Sequence, residues 1–416
     1  MSTSTAEALP LRRNGRFLRY WFGHATSMFG DQISALAMPY LAATTLHAGA
    51  GQLGVLTAVL WAPQLLSLLV GTGVDRLRRV RRPLIVANLM QCLTVAAVPV
   101  AAVSGVLSMP LLYGVGLVLG AGAVLYGTSY PRFFVRVVPR TRYVTANSLL
   151  STTGSAANIA GPALGGALIQ LLTAPFAMLA DAVTFLVSAA AIRTVDVAAA
   201  GTDDTGPEPY LRRLRAGVRY LRRHPHLRAS LGCSTTMNFA AFVVQALLVL
   251  YATRGLQLGA GRIGAALAVG AVGGLIGAMA SGRIAVILGT GRTIALGAVL
   301  YCLPFAGLVL AGPGTPGLLV LAGVEAVSSF GVMLFDVHNN ALRATVTRDD
   351  MRARVSGAYS TVNYGIRPVG ALVGGVAAAH LGLAPVLAGA GALGALSVLW
   401  LLASPIRRLR SLTDLG

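Results

Sequence analysis

The chain has 416 residues, of which 55% are hydrophobic and only 11% are charged, and its mean hydropathy is +0.72. Soluble globular chains carry about 25% charged residues, so this composition excludes an ordinary water-soluble domain. The formal net charge is +20, and the sequence contains no lysine, so the positive charge comes from arginine.

Twelve apolar runs cover most of the chain. A helix needs about 20 apolar residues to cross a hydrocarbon core of about 30 Å, and backbone groups in lipid must be bonded within the segment. We therefore predict an all-α polytopic membrane protein with twelve transmembrane helices. The predicted spans cover residues 17–43, 52–72, 83–104, 110–134, 145–171, 175–193, 231–254, 261–288, 291–312, 316–338, 353–380 and 383–404.

The arginines are concentrated in the N-terminal tail, in every second loop and in the C-terminal tail, whereas the other loops hold only Arg254 and Arg262. Positive residues remain on the cytoplasmic side, so this pattern predicts that both termini are cytoplasmic. It also argues against a nucleic-acid-binding face. The arginines on the predicted cytoplasmic side are Arg12, Arg13, Arg16, Arg19, Arg76, Arg78, Arg79, Arg81, Arg82, Arg140, Arg142, those between Arg212 and Arg228, Arg292, Arg348, Arg352, Arg407, Arg408 and Arg410.

An internal repeat divides the chain. Four segments recur in the same order at an offset of about 208 residues, for example GHATSMF at 23–29 with GCSTTMN at 232–238, and GPALGG at 161–166 with PVGALVGG at 368–375. This repeat predicts two parallel halves, residues 1–193 and 231–416, with the substrate site between them near the bilayer midplane. The cytoplasmic linker, 194–230, contains apolar residues at helical spacing among arginines, which indicates an amphipathic basic helix on the inner membrane surface.

Three ionisable residues lie deep within predicted spans. At 1.5 Å per residue, Asp31 lies about 21 Å along span 1, Glu325 about 13 Å along span 10, and Arg367 about 21 Å along span 11. A charge at a helix centre costs about 2.5–3.5 kcal/mol, so we expect these residues to be functional. We interpret Asp31 or Glu325 as the carrier of a coupling proton, and Arg367 as its partner or as the group that binds a substrate anion. The alternative is a static ion pair that fixes helix packing.

Other polar residues in the spans have weaker indications. Tyr126, Asn238 and Gln245 are candidate cavity-lining residues, although polar groups in helix bundles often bond only across helices. Asp181 in span 6 is expected to have a structural role. Asp336 lies near a predicted cytoplasmic end, which favours a topological role.

Catalytic and metal-binding patterns were not found. Without lysine the chain has neither a Walker A lysine nor a Schiff base, and no H-E-x-x-H or G-x-S-x-G occurs. The three cysteines, Cys92, Cys233 and Cys302, are not paired by spacing. We therefore expect no enzymatic activity, no cofactor and no metal, and an energy source other than ATP hydrolysis.

Several motifs resemble those of one transporter family. The loop after span 2 reads GTGVDRLRRVRR at 71–82, which is similar to the G-x-x-x-D-R-x-G-R-R signature of the major facilitator superfamily. Span 5 contains GPALGG at 161–166, which is similar to the core of the glycine-proline motif of its exporters. SMFGD in span 1 and the linker RLRAGVRYLRRHPHLR resemble its siderophore-exporter and macrolide-efflux-like branch.

This resemblance implies two pseudo-symmetric six-helix bundles, in which spans 1, 4, 7 and 10 line a central cavity with spans 2, 5, 8 and 11 at its sides. The three mid-bilayer residues would then surround one chamber. The resemblance also implies a conformational latch formed by Gly71, Asp75 and Arg76, for which simple anchoring is the alternative. In span 5 it implies a helix bend or packing motif formed by Gly161, Pro162, Gly165 and Gly166.

The function implied is proton-coupled export of small amphipathic molecules, such as a drug, an antibiotic or a siderophore-like metabolite, by alternating access. The expected location is the bacterial inner membrane. We expect a monomer whose partners are the small-molecule substrate, protons and lipid, and not nucleic acid. Two alternatives stay open: an importer or uniporter of the same fold, and a membrane scaffold or receptor that does not transport.

Overall fold

The computed structural model describes residues 14–75, 77, 79–196 and 210–412, and in this part of the chain every regular element is a helix. The helices before the linker are α1 (Gly15–Thr44), α2 (Ala50–Trp61), α3 (Ser67–Asp75), α4 (Arg81–Val103), α5 (Met109–Val137), α6 (Tyr143–Leu172) and α7 (Ala174–Arg193). The linker contains α8 (Tyr210–Arg223). The helices after it are α9 (Pro225–Arg254), α10 (Ala260–Leu288), α11 (Thr290–Cys302), α12 (Thr315–Val346), α13 (Arg352–Leu381), α14 (Leu383–Ala395) and α15 (Val398–Leu402).

The predicted apolar runs are helical over most of their length. Within the described residues, nine helices are long and apolar enough to cross a membrane, and Ala50–Leu66 forms a shorter apolar segment. The helices α1 and α13, which carry Asp31 and Arg367, are not among the nine. Polar residues within α1 and α13 lower the mean hydropathy of these two helices.

Two predicted spans contain a change of helix type. The second is divided into α2, a 3₁₀ segment at Ala62–Leu66 and α3, and the ninth continues from α11 into a 3₁₀ segment at Leu303–Leu310. Each 3₁₀ segment has a proline in its first turn, Pro63 and Pro304. Proline has no amide hydrogen to donate, so the regular α-helical bonding pattern is interrupted at these points.

The apolar face of the linker helix α8 packs against protein. Leu221 is fully buried, and with Leu214 and Val218 it packs against Val355 and Ala358 of α13. Gly217 lies against the backbone of α13, since a Cβ atom there would clash with the carbonyl of Arg354. The face that the sequence assigned to the membrane surface is therefore used to attach α8 to the C-terminal half.

We call the end of the bundle where α1 begins the terminal side, and the opposite end the distal side. At the distal side the two halves are in close contact. A Cβ atom on Gly54 of α2 would lie 2.6 Å from the carbonyl oxygen of Ala371 in α13, and one on Gly166 of α6 would lie 2.5 Å from that of Ala260 in α10. Arg254 donates from Nη2 to the carbonyl oxygens of Ala43 at 3.3 Å and of Ala48 at 3.0 Å. Small residues and one arginine thus close this side.

The terminal side is open along α6. The face of α6 that contacts α10 through Pro162 and Gly166 continues toward the terminal side at i, i+3 and i+4 spacing, and there it is exposed. This exposed stripe is polar and consists of Ser148, Ser151, Ser155 and Asn158. A polar space between the halves therefore opens toward the terminal side and is closed at the distal side.

Candidate functional site

In the N-terminal half, one face of α1 carries an aromatic and titratable stripe. Tyr20, His24 and Asp31 share this face, because they are separated by four and seven residues. The Nδ1 atom of His24 lies 3.0 Å from the hydroxyl of Tyr126 on α5, and the two rings are stacked with centroids 5.8 Å apart. Tyr20 is fully buried and packs on Phe133 of α5. Tyr126, which the sequence predicts as a cavity-lining residue, is half-buried and is held in place by its contact with His24 of α1.

Asp31 lies near the middle of the 30-residue helix α1, two turns beyond His24, and its side chain is exposed. The neighbouring faces of α1 pack against α6 and α7, where Gln32 contacts Gly161 and Gly30 contacts Thr184. No carboxylate–arginine pair involving Asp31 is present among the described residues. The carboxylate therefore has access to water and has no cation beside it.

Asp181 of α7 is the second acid of this region, and its surroundings differ. It is fully buried against Gly30 of α1, and its carboxylate accepts hydrogen bonds from Ser34 Oγ and, at 3.1 Å, from Thr184 Oγ. Hydroxyl donors satisfy a buried carboxyl group without a cation. This arrangement agrees with the structural role expected for Asp181 and leaves Asp31 as the accessible acid.

In the C-terminal half, Glu325 lies one third of the way along α12 from its distal end, and its Cβ packs beside Gly270 of α10. The side chain is half-buried. Asp336 lies eleven residues further along the same face of α12 and is also half-buried. Among the described residues, Asp336 and Arg367 do not form an ion pair within 4 Å. Glu325 and Arg367 are likewise not in ion-pair contact.

Arg367 lies at the middle of α13, and its guanidinium is surrounded by aromatic rings from both halves. Its Cζ atom is 4.7 Å from the ring centre of Trp61 in α2, 4.9 Å from that of Phe242 in α9 and 4.4 Å from that of Tyr364 in its own helix. Trp61 and Phe242 also meet edge to face at 5.0 Å. We call Trp61, Phe242 and Tyr364 the Arg367 cage. Cation–π contacts of this kind contribute about 0.5–2 kcal/mol each.

The Nε atom of Arg367 donates to Oδ1 of Asn238 at 3.0 Å, which begins a hydrogen-bonded network between α9 and α13. Asn238 Nδ2 donates to Asn363 Oδ1 at 3.2 Å, and Ser234 Oγ donates to the same oxygen at 2.9 Å. Tyr359 donates to Ser234 Oγ at 2.7 Å.

The network continues toward the terminal side and includes α12. Asn339 of α12 donates to Tyr359 at 2.9 Å, and Ser230 donates to Asn339 at 2.5 Å. We call this set the α9–α13 network: Ser230, Ser234, Asn238, Asn339, Tyr359, Asn363 and Arg367.

Gln245 is exposed, whereas its neighbours from Phe242 to Ala252 are all buried. Because α9 is packed against α1, α2, α13 and α14, an exposed side chain on it faces the space between the halves. Asn238 lies two turns away on the same face. The position of Gln245 is consistent with its prediction as a cavity-lining residue.

The two sequence motifs are described to different extents. Asp75 is the last residue of α3, but its side chain and the residues Arg76 and Arg78 lie outside the described part, so the latch stays a prediction. In the span 5 motif, Gly161 and Gly165 contact Gln32 and Ile33 of α1, while Pro162 and Gly166 contact α10 of the other half. The motif therefore packs on both halves, and α6 is continuous through Pro162.

Sequence reasoning singled out Asp31, Glu325 and Arg367, and it predicted Asn238 to line the cavity, but it missed the bond from Arg367 to Asn238 and the other residues that hold Arg367. A signal was present: Ser230, Ser234 and Asn238 are spaced by four in one apolar run, and Tyr359, Asn363 and Arg367 by four in another. Polar residues at this spacing lie on one face of a helix. Trp61 had no such signal, because it reaches Arg367 from the other half of the chain.

The family model described as Major Facilitator Superfamily matches residues 20–371. The chain belongs to this superfamily. It is therefore a multi-pass membrane transporter and not an enzyme.

Curated relatives in the superfamily are efflux pumps. The chain is 26% identical over 358 residues to the "Multidrug efflux pump Tap" of Mycobacterium tuberculosis strain H37Rv, which covers 83% of each chain. It is 26% identical over 386 residues to the protein of the same name from Mycolicibacterium fortuitum, with 89% of this chain and 91% of the relative covered.

Solved structures show the same fold. The nucleoside transporter NupG matches with a TM-score of 0.73 at 11% identity, over 93% of this chain and 98% of that one. A bacterial homologue of the iron transporter ferroportin in the inward-facing state matches with a TM-score of 0.72 at 17% identity, over 94% of this chain and 100% of that one.

Proposed function

We propose that this transporter exports small amphipathic molecules in exchange for protons, by alternating access between its two halves. In this proposal twelve segments cross the bacterial inner membrane, both termini are cytoplasmic, and the terminal side of the bundle faces the cytoplasm. The relatives named multidrug efflux pumps support the direction and the substrate class.

The observation that carries the proposal is the polar space between the halves. It opens at the terminal side beside Ser148, Ser151 and Ser155, and it is closed at the distal side by Gly54, Gly166 and Arg254. A space closed at one end and open at the other, between two repeated halves, is what one state of an alternating-access cycle requires. Substrate would enter this state from the cytoplasm.

Asp31 is the stronger candidate for the proton carrier. It is an exposed acid at the middle of α1 without a neighbouring cation among the described residues, so its charge depends on protons and water from the open space. Glu325 is the second candidate, because it is a half-buried acid on α12 that is not paired with Arg367. A group that changes between access to one side and access to the other can load and release a proton.

The test is transport by purified protein in liposomes whose protein orientation is known from proteolysis of the basic linker. We expect an imposed pH gradient to drive an amphipathic dye out of the compartment that faces the terminal side. Asp31→Asn should reduce gradient-driven flux to the leak level, and Glu325→Gln should reduce it in part. Asp350→Asn is the matched control, because Asp350 is an exposed acid that pairs only with Arg348.

The result separates the proposals. If Asp31→Asn and Glu325→Gln both retain full gradient-driven flux, neither acid carries the proton. If wild-type flux occurs but ignores the pH gradient, the protein is a facilitator. If the dye moves in the opposite direction, it is an importer.

A further inference from the structure

The guanidinium of Arg367 has an unused hydrogen-bonding edge. Its Nε atom is taken by Asn238, but within the described residues neither Nη1 nor Nη2 has a hydrogen-bond partner, and no carboxylate lies within 4 Å. Neither atom is among the buried polar atoms without partners, so both remain accessible. A cation at the middle of a membrane helix is costly, and two donor nitrogens of this one have no partner within the described residues.

Aromatic rings surround the carbon of this group while its terminal nitrogens stay accessible. The ring centres of the Arg367 cage lie 4.4–4.9 Å from Cζ, and Nη1 and Nη2 remain accessible beside them. A guanidinium edge with two parallel donors matches a carboxylate, which accepts two parallel hydrogen bonds. Trp61 and Phe242 meet edge to face beside it and offer aromatic surface to a ring attached to that carboxylate.

The α9–α13 network fixes the direction of this edge. Asn238 is held by its bond to Asn363, and Asn363 is buried and bonded to Ser234 and to the carbonyl of Tyr359. Arg367 is therefore oriented before a ligand arrives, so less conformational entropy is lost when the ligand binds.

We propose that the Arg367 cage is a recognition site for aromatic anions, with Arg367 binding a carboxylate and Trp61 contacting the attached ring. Asn238 and Asn363 are positioning residues for Arg367. This inference rests on the proposed function in one respect, since it takes the space between the halves as the substrate site, and it narrows the amphipathic substrates to those with an acidic group beside a ring.

The test is equilibrium dialysis of the full chain in detergent with three radiolabelled probes that share a naphthalene ring and carry an anionic, a neutral or a cationic substituent: 1-naphthoate, 1-naphthamide and 1-naphthylmethylammonium. A charge-assisted hydrogen bond predicts that wild type binds the carboxylate about tenfold more tightly than the amide. Arg367→Gln should remove this difference, and Arg367→Lys should retain part of it. Trp61→Leu should weaken all three probes by a similar factor.

Two further variants separate a specific role from general damage. Arg283→Gln removes an exposed arginine of α10 from the same half and should leave the preference for the carboxylate unchanged. Asn238→Ala should reduce the preference while Arg367 is still present, which a purely structural Asn238 would not do. Thermal unfolding confirms that each variant is folded before its binding is compared.

Equal binding of naphthoate and naphthamide by wild type, or an undiminished preference in Arg367→Gln, overturns the inference. Its failure is distinguishable from failure of the proposed function. Gradient-driven export of dyes without any preference for anions removes the aromatic-anion site and leaves the exporter. A tenfold preference in a protein that moves no dye supports the binding site and removes the exporter.

Discussion

At the middle of the N-terminal half, α1 and α7 hold two carboxyl groups among hydroxyl and phenol groups, whereas at the middle of the C-terminal half α9 and α13 hold a guanidinium among amides and aromatic rings. Asp181 is sealed and bonded to Ser34, and Asp31 is exposed. Arg367 is bonded on one side and open on the other.

The contrast extends to equivalent positions of the repeat. Asn158 in α6 and Arg367 in α13 occupy corresponding places, and each bonds to the first helix of its own half, Gln32 at 2.6 Å and Asn238 at 3.0 Å. Gln32 donates to an exposed asparagine, while Asn238 belongs to a network whose other members, apart from Arg367, are buried. In both halves this position thus bonds to the first helix, but only in the C-terminal half is the bond part of an extended polar network.

The largest expected effect is that of Asn363→Leu. This change removes the Oδ1 acceptor that the Ser234 hydroxyl and the Asn238 amide share, and it leaves them only the backbone carbonyls of Leu231 and Ser234. The free energy of unfolding should therefore fall by about 3 kcal/mol. The thermal midpoint of purified protein measures it. Asn158→Leu, which removes an exposed asparagine of α6 in the N-terminal half, should change stability by less than about 0.5 kcal/mol. Equal losses in the two variants would show that the halves do not differ in this way.

The next effect is on the distal contact between the halves. Gly54→Val places a side chain against the carbonyl of Ala371, and overpacking of this kind costs about 1–3 kcal/mol. Because the contact exists only while the distal side is closed, the variant should favour the state with the terminal side closed. Electron spin labels at Ser151 and Gly282, in a chain whose three cysteines are replaced by serine, should then report a shorter distance.

Gly277→Ala is the control for that experiment. Gly277 meets the backbone of Phe330 within the C-terminal half, with a prospective Cβ 2.6 Å from its carbonyl oxygen. This variant should lower the thermal midpoint without changing the distance between the labels. A shift of the distance in Gly277→Ala, or none in Gly54→Val, would contradict the assignment of the distal glycines to closure.

A smaller effect is expected for Ser34→Ala. It removes one of the two hydroxyl donors of the buried Asp181, which should cost about 1–2 kcal/mol of unfolding free energy. Thr26→Ala is the matched control, because its hydroxyl bonds only to carbonyls of its own helix. Thermal unfolding distinguishes the two. If proton-driven flux is lost in Ser34→Ala while the protein stays folded, Asp181 takes part in transport and its role is not purely structural.

The smallest effect concerns His224, which lies between α8 and α9 outside the membrane-spanning segments. Burial lowers the pKa of His224. The unfolded chain therefore binds a proton at a pH where the folded chain does not, so stability is present above the unfolded pKa of about 6.5 and is lost as pH falls below it. The thermal midpoint should decline between about pH 7.5 and 5.5, and His224→Phe should reduce that decline. His47→Gln, in an exposed loop at the distal side, should retain the wild-type slope.

Much of the helical architecture follows from the sequence because long apolar runs have few alternatives in lipid. The proline-associated changes at Pro63 and Pro304 are visible in the sequence too, but a proline alone does not say whether a helix kinks, ends or becomes 3₁₀. The packing of α8 was missed for a related reason: an amphipathic face suits a protein groove as well as a membrane surface.

The ionisable members of the candidate site were predictable, whereas the contacts among its members were not. Asp31 and Arg367 stand out because a charge in an apolar run is costly. Their partners are ordinary residues, and a serine or asparagine in a span costs little by itself. That Asn238 reaches Arg367 and that Trp61 covers it depend on how α2, α9 and α13 cross, which no local pattern contains.

The spacing of the α9–α13 network limits how the transporter can move. Its members repeat every four residues on both helices, so sliding α9 along α13 would separate several donors from their acceptors at once, until the next register is reached about 6 Å away. The distal contacts between the halves contain mainly glycine and alanine backbone, which can part without stranding buried side-chain donors. We therefore expect each half to rotate as a rigid body about these distal contacts when the transporter changes state. In this motion α9 and α13 move together.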